Sequence, residues 1–121
     1  MSTGTTERCS MSTSSLTGDE IRNRNDETLG SVHDIMVDCG TGKVSYVVMT
    51  SGGFLGFGNK LFALPMSALE LDTECKCLRM NASKESFKES DGFDKDNWPN
   101  MADPRWEEDT HKRFDATPYW V

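Results

Sequence analysis

Cys75-Lys76-Cys77 sets two thiols within three residues, a spacing that could serve metal binding or redox chemistry. On an extended strand, residues two apart share a face with Cα atoms roughly 7 Å apart, too far for an unstrained disulfide. As half of a zinc site the pair needs two more ligands, from Cys39, His33 or His111. None of these falls at a recognised ligand spacing, so the expectation is reduced thiols and no metal. A small-molecule or metal-binding barrel using the Cys75/Cys77 face is the alternative.

His33 beside Asp34 has the residue types of a catalytic pair, yet neighbours on a strand point to opposite faces. No nucleophile motif accompanies them, which leaves a surface histidine. Asp91, Asp94 and Asp96 follow a calcium loop only in part. The glycine such a loop requires is missing, and Trp98-Pro99 falls where ligands should follow. Gly53-Phe54-Leu55-Gly56-Phe57-Gly58-Asn59-Lys60 is rich in glycine like a phosphate loop, but Asn59 separates Gly58 from Lys60 and a strand pattern follows in place of a helix. With no acid/base or nucleophile constellation left, the expectation is a non-enzymatic chain with no catalytic residues and no cofactor.

The remaining signals are apolar groups in polar surroundings. Phe54, Leu55 and Phe57 sit in a turn that a solvated connection would not fill with large side chains, and burying each gains roughly 1.5–3 kcal/mol. Trp98 and Trp106, each next to proline, carry large apolar area into an acidic tail. These five residues are the candidate interaction sites.

The 121 residues carry a net charge of -7, spread along the chain without a basic stripe. Lys and Arg dominate phosphate affinity, so direct nucleic-acid binding is disfavoured. No apolar run approaches the ~20 residues of a membrane span, and the N-terminus is Ser/Thr-rich where a secretory signal would be apolar. A cytoplasmic protein is the expectation.

The elements that must position these residues begin at Leu16. Residues 1–15 read as a disordered leader, 16–90 as one domain, and 91–121 as an acidic, aromatic-containing tail packing on it. Leu16 to Arg22 is a weak strand. Thr28 to Asp38 is a strand in which a bulge near His33–Asp34 would return Val32, Ile35 and Val37 to one face. Cys39 to Gly42 is a hairpin connection. Val44 to Thr50 is apolar on both faces, the mark of a central strand covered twice. Leu61 to Leu64 ends at Pro65, Met66 to Leu69 suits one helical turn, and Cys75 to Met80 is a last strand. Asn81 to Lys88 suits a short helix with Ser83 as its cap. Asp91 to Trp106 is expected to follow an extended path on the domain, with His111 to Val121 more loosely held. Short strands with tight turns favour an all-β fold, a small barrel.

Leu16-Thr17-Gly18-Asp19-Glu20-Ile21, Leu29 to Asp38, Lys43 to Val48 and above all Gly52 to Leu69 together resemble the PRC-barrel family. Gly92 to Pro99 is similar to the tail of small stand-alone bacterial members. The resemblance runs from about Leu16 to Trp106. It implies a small, strongly bent β-barrel (PRC-barrel) with a short helix and an extended C-terminal tail. It also implies an assembly or interaction module without catalytic residues. The surplus of apolar surface at Val44–Thr50 and at Phe54, Leu55 and Phe57 points to protein partners, a homodimer first.

Overall fold

The computed structural model describes residues 10–121 except 54, 55 and 57, so the turn residues Phe54, Leu55 and Phe57 lie outside the described residues, as do residues 1–9 of the leader. Strands β1 (Glu20–Arg22), β2 (Thr28–Val37), β3 (Val44–Thr50), β4 (Leu61–Pro65), β5 (Leu69–Asp72) and β6 (Cys77–Met80) form one sheet in the order β4-β3-β2-β1-β6-β5. Neighbours are antiparallel except β1 and β6, which run parallel.

Leu29 and Val32 of β2, Val47 and Met49 of β3, Phe62 and Leu64 of β4, Leu69 of β5, Ile21 of β1 and Leu78 and Met80 of β6 share a single core. A flat sheet would hold its two end strands far apart, so this shared core requires a strong bend. The bent sheet is not closed into a barrel: β4 and β5 do not pair. The outer edge of β4 is taken by Phe93, which exchanges two backbone hydrogen bonds with Leu61 at 2.8 and 2.9 Å. A 3-10 turn at Met66–Ala68 carries the chain from β4 directly into β5.

The bulge in β2 lies where the hydrophobic pattern places it, the register slipping between Val32 and Asp34 past His33. A second slip between Met36 and Val37 turns Val37 out, to 54% exposure, so only Val32 and Ile35 face inward. Gly30 is where β2 comes closest to β3: a Cβ there would lie 2.3 Å from the Thr50 carbonyl oxygen.

Four expectations need correction. The leader's end is ordered, because helix α1 (Thr13–Leu16) starts on Ser12, whose hydroxyl accepts the Ser15 N–H, and Leu16 packs on the core. Leu69–Asp72 is strand β5, and β6 starts at Cys77, leaving Cys75 in the turn between them. The expected helix over Asn81–Lys88 is a single 3-10 turn, Lys84–Ser86, with no side-chain cap from Ser83. Its purpose is to set Phe87 edge-on to Phe62, ring centroids 5.3 Å apart.

The fourth concerns the tail. After Asp91 the chain passes through turns at Asp94–Asn97 and Asn100–Asp103, and helix α2 (Pro104–Arg113) then begins. Asp103 caps it through the Arg105 N–H, Pro104 occupies the first turn, and His111, Lys112 and Arg113 complement the dipole at its end. The segment expected to be loose is tied down instead: His111 is buried, and Ser67 Oγ donates to the Thr117 carbonyl at 2.6 Å.

One truncation and one substitution test this arrangement. Truncation after Lys88 removes the partner of the β4 edge and all of α2, and should lower stability by about 2–5 kcal/mol, as loss of large buried aromatics does. An unchanged denaturation midpoint would show that the tail is not part of the fold. Gly30→Ala forces a methyl against backbone and the Met49 side chain, and denaturant titration should register about 1–3 kcal/mol of overpacking.

Candidate functional site

Among the described residues, three places bring together apolar unfilled surface or chemistry-bearing side chains. The first is an apolar groove below α1. A cavity of about 360 Å3 is lined by Met11, Leu16, Leu71, Lys76 and Cys77 among others. It shares Met11, Leu16 and Leu71 with a second of about 190 Å3 that reaches Val47 and Leu78 of the core. Met11 and Leu71 are 42% and 44% exposed and line the same groove, so their apolar surface is contiguous.

The second is the β5–β6 turn, where Cys75 and Cys77 are joined in a disulfide with Cα atoms 5.4 Å apart. The expectation of reduced thiols assumed both residues on one extended strand. The chain instead turns at Lys76, whose φ of 56° lies in the left-handed region, and this shortens the gap. Asp72 braces the turn: its Oδ1 accepts the N–H groups of Glu74 and Cys75 at 3.1 and 3.2 Å. Its Oδ2 accepts from Arg79 Nε at 3.0 Å, and the Arg79 guanidinium is the main cause of an Asp72 pKa below the usual carboxylate range. Asp72, Cys75 and Cys77 also have ligand atoms within 4.8 Å of one another.

The third is polar and buried. Glu107 on α2 is 7% exposed, and its Oε1 accepts from Tyr46 Oη at 3.1 Å and from Tyr119 Oη. The His111 ring stands edge-on to Tyr46 and Trp120, with Nδ1 2.7 Å from the Glu107 carbonyl oxygen. A carbonyl can only accept, so Nδ1 carries the proton. Burial first, and the Glu107 carboxylate second, push the Tyr46 phenol far above its ordinary pKa of 10.0. Tyr119 is raised as well, by burial and by its bond to Glu107. The arrangement leaves no vacant valence on the Glu107 oxygen that faces the phenols, which makes it a clamp more than a reactive centre.

The two tryptophans do not share a site. Half-buried Trp98 packs on Phe93 at 5.3 Å and lies 6.3 Å from the exposed His33 ring. Half-buried Trp106 packs on Tyr46 at 5.1 Å. Phe93 bonds Leu61 and Tyr46 stands opposite Pro65, so the rings mark opposite ends of β4. Sequence reasoning missed Glu107 and took His111 only as a possible ligand beside Cys75 and Cys77, whereas its ring is buried against Tyr46 and Trp120. The available signal was Asp103-Pro104 before a window in which Trp106, Thr110 and Phe114 recur at helical spacing.

The model of the PRC-barrel domain family matches residues 10–86, more than half of the chain. The chain belongs to this family. No curated protein matches it closely enough to count as a relative. In this PRC-barrel protein the matched span includes the groove, the Cys75–Cys77 turn and Tyr46 of the clamp, whereas Glu107, Tyr119, Trp98 and Trp106 lie beyond it. Among the described residues no helix is long and apolar enough to cross a membrane.

Tyr46 and Tyr119 are the chain's two tyrosines, so alkaline titration reads the clamp directly. Raised folded-state pKa values mean that the phenols contribute their full stability below about pH 10 and lose it above, as the unfolded chain alone ionises. Phenolate absorbance should therefore rise cooperatively with unfolding. A gradual rise near the ordinary value of 10.0, with the fold intact, would contradict the clamp.

Proposed function

We propose that this chain is a non-enzymatic, stand-alone PRC-barrel module that binds proteins, with a second copy of itself as first partner. The observation that carries the reading is the apolar groove with Met11 and Leu71 exposed at its mouth. Beside it runs β5, which among the described residues pairs with β6 alone and so offers a strand edge. Asp19 and Lys76 are both among the groove's residues. In a two-fold pair each copy's Asp19 can meet the other's Lys76, the self-complementarity an isologous interface needs. Support for binding over catalysis comes from the committed state of the carboxylates: Glu107 accepts two phenols, and Asp72 accepts Arg79 and two backbone N–H groups. The barrel-like bend of the open sheet and a cytoplasmic location belong to this reading, on the family resemblance and sequence arguments given above.

A metal-binding reading draws on Asp72, Cys75 and Cys77. It is the weaker one, since both Asp72 oxygens already accept hydrogen bonds and the sulfurs are bonded to each other. Light scattering on the full, untagged chain tests the preferred reading. The wild type should have twice the chain mass, and Leu71→Asp should be monomeric with the far-ultraviolet dichroism of the wild type. A wild type that stays monomeric up to its solubility limit overturns self-association, and one zinc per chain in metal analysis would favour the second reading.

A further inference from the structure

We propose that Cys75 and Cys77 are a reversible dithiol–disulfide couple, opened and closed by low-molecular-weight thiols and disulfides of the glutathione class. This does not depend on the groove being an interface. The stabilising effect of a disulfide grows with the length of chain it closes, and this one closes three residues, so it is a poor staple. The hairpin does not need one. Residues Leu69 to Asp72 already pair with Met80 to Cys77 along the ladder, and the Asp72 carboxylate holds the turn through the Glu74 and Cys75 N–H groups. Lys76 is in the left-handed region and the two Cα atoms lie 5.4 Å apart, within a turn that Asp72 braces through backbone N–H groups. Two thiols released there stay within reach of each other.

Access is unequal, which gives the exchange an order. Cys75 is half-buried, whereas Cys77 is 4% exposed. In the closing direction the Cys75 thiolate attacks one sulfur of the small disulfide, whose S–S bond breaks and releases one thiolate. Cys77 then attacks the Cys75 sulfur of the mixed disulfide and expels the second thiolate. The two protons lost by the cysteines are taken up by the two released thiols, so the pair is oxidised and the small disulfide reduced. In the opening direction the same steps run backwards, with the external thiol entering at Cys75.

The experiment uses the full chain carrying Cys9→Ser and Cys39→Ser, which leaves Cys75 and Cys77 as its cysteines. Protein held in reduced or in oxidised glutathione is quenched with a maleimide and weighed intact. Two adducts are expected in the reduced buffer and none in the oxidised one, reversibly, with the same far-ultraviolet dichroism in both. Adding Cys77→Ser should trap one glutathione on Cys75, and adding Cys75→Ser should trap at least tenfold less on Cys77. Two adducts in both buffers would mean that the bond does not close, and none in the reduced buffer, with two after denaturation in it, would mean that external thiols cannot reach it. Either overturns the proposal, as would a stable glutathione adduct on the double variant or one bound zinc per chain that blocks the maleimide.

Discussion

Strand β3 is apolar on both faces, and a lone sheet can bury only one of them. Val47 and Met49 are covered by the bend of the sheet, which wraps β4 and β5 towards the same core. Tyr46 and Val48 face the other way, and both are fully buried. Their burial demands a second layer, and the chain supplies it from far along the sequence as α2 and the turns after it. Burying Tyr46 raises a further demand, because a phenolic O–H taken out of water must find an acceptor. Glu107 provides it, and the carboxylate is itself kept company by Tyr119. The α2 helix, its polar inner face and the return of the tail to Lys43 and Ser67 all follow from covering one strand twice.

That logic also separates what could be read in the sequence from what could not. The central strand was legible because Val44, Tyr46 and Val48 on one face and Val47 and Met49 on the other are apolar, and the β2 bulge because one skipped residue at His33 returns Ile35 to the face of Val32. The PRC-barrel resemblance was legible through Gly52 to Leu69, where several unremarkable segments combine. Helix α2 was hidden by its own chemistry. Its buried positions include Glu107, Thr110 and His111, so the periodic stripe that marks an amphipathic helix is polar where it meets the sheet. Strand β5 was hidden differently: Leu69-Glu70-Leu71-Asp72 alternates, but at four residues it is too short to outweigh the helical turn before it.

The Cys75–Cys77 turn shows why a spacing argument fails when the element is misplaced. Seven ångströms is the right distance for a strand, and Cys75 is not in one. Asp72, the residue that turns the chain, carried a recoverable signal: Asp and Asn side chains readily accept backbone N–H groups two or three residues on. The groove was less recoverable still. It is assembled from α1, β2, β3, β5 and β6, and no local pattern reports a space shared by elements this far apart in sequence.

Arg79 joins two of these features. The parallel contact of β1 with β6 spans only Ile21–Leu78 and Arg22–Arg79, a short seam for the joint that brings the β5–β6 hairpin onto the rest of the sheet. Arg79 reinforces it from the side, donating to the Asn23 carbonyl at 3.1 Å and to Asp26 at 3.0 Å. The same guanidinium holds Asp72. The turn around the cysteines is thus anchored to the β1–β2 loop by a chain of hydrogen bonds, none of which passes through sulfur. Both Asp26 and Asp72 are held below the usual carboxylate range, chiefly by their bonds to Arg79, so the anchor keeps its charge well into acid. A hairpin fixed in this way can change the bonding of its two sulfurs while its strands stay in register, because the forces that set the register act elsewhere.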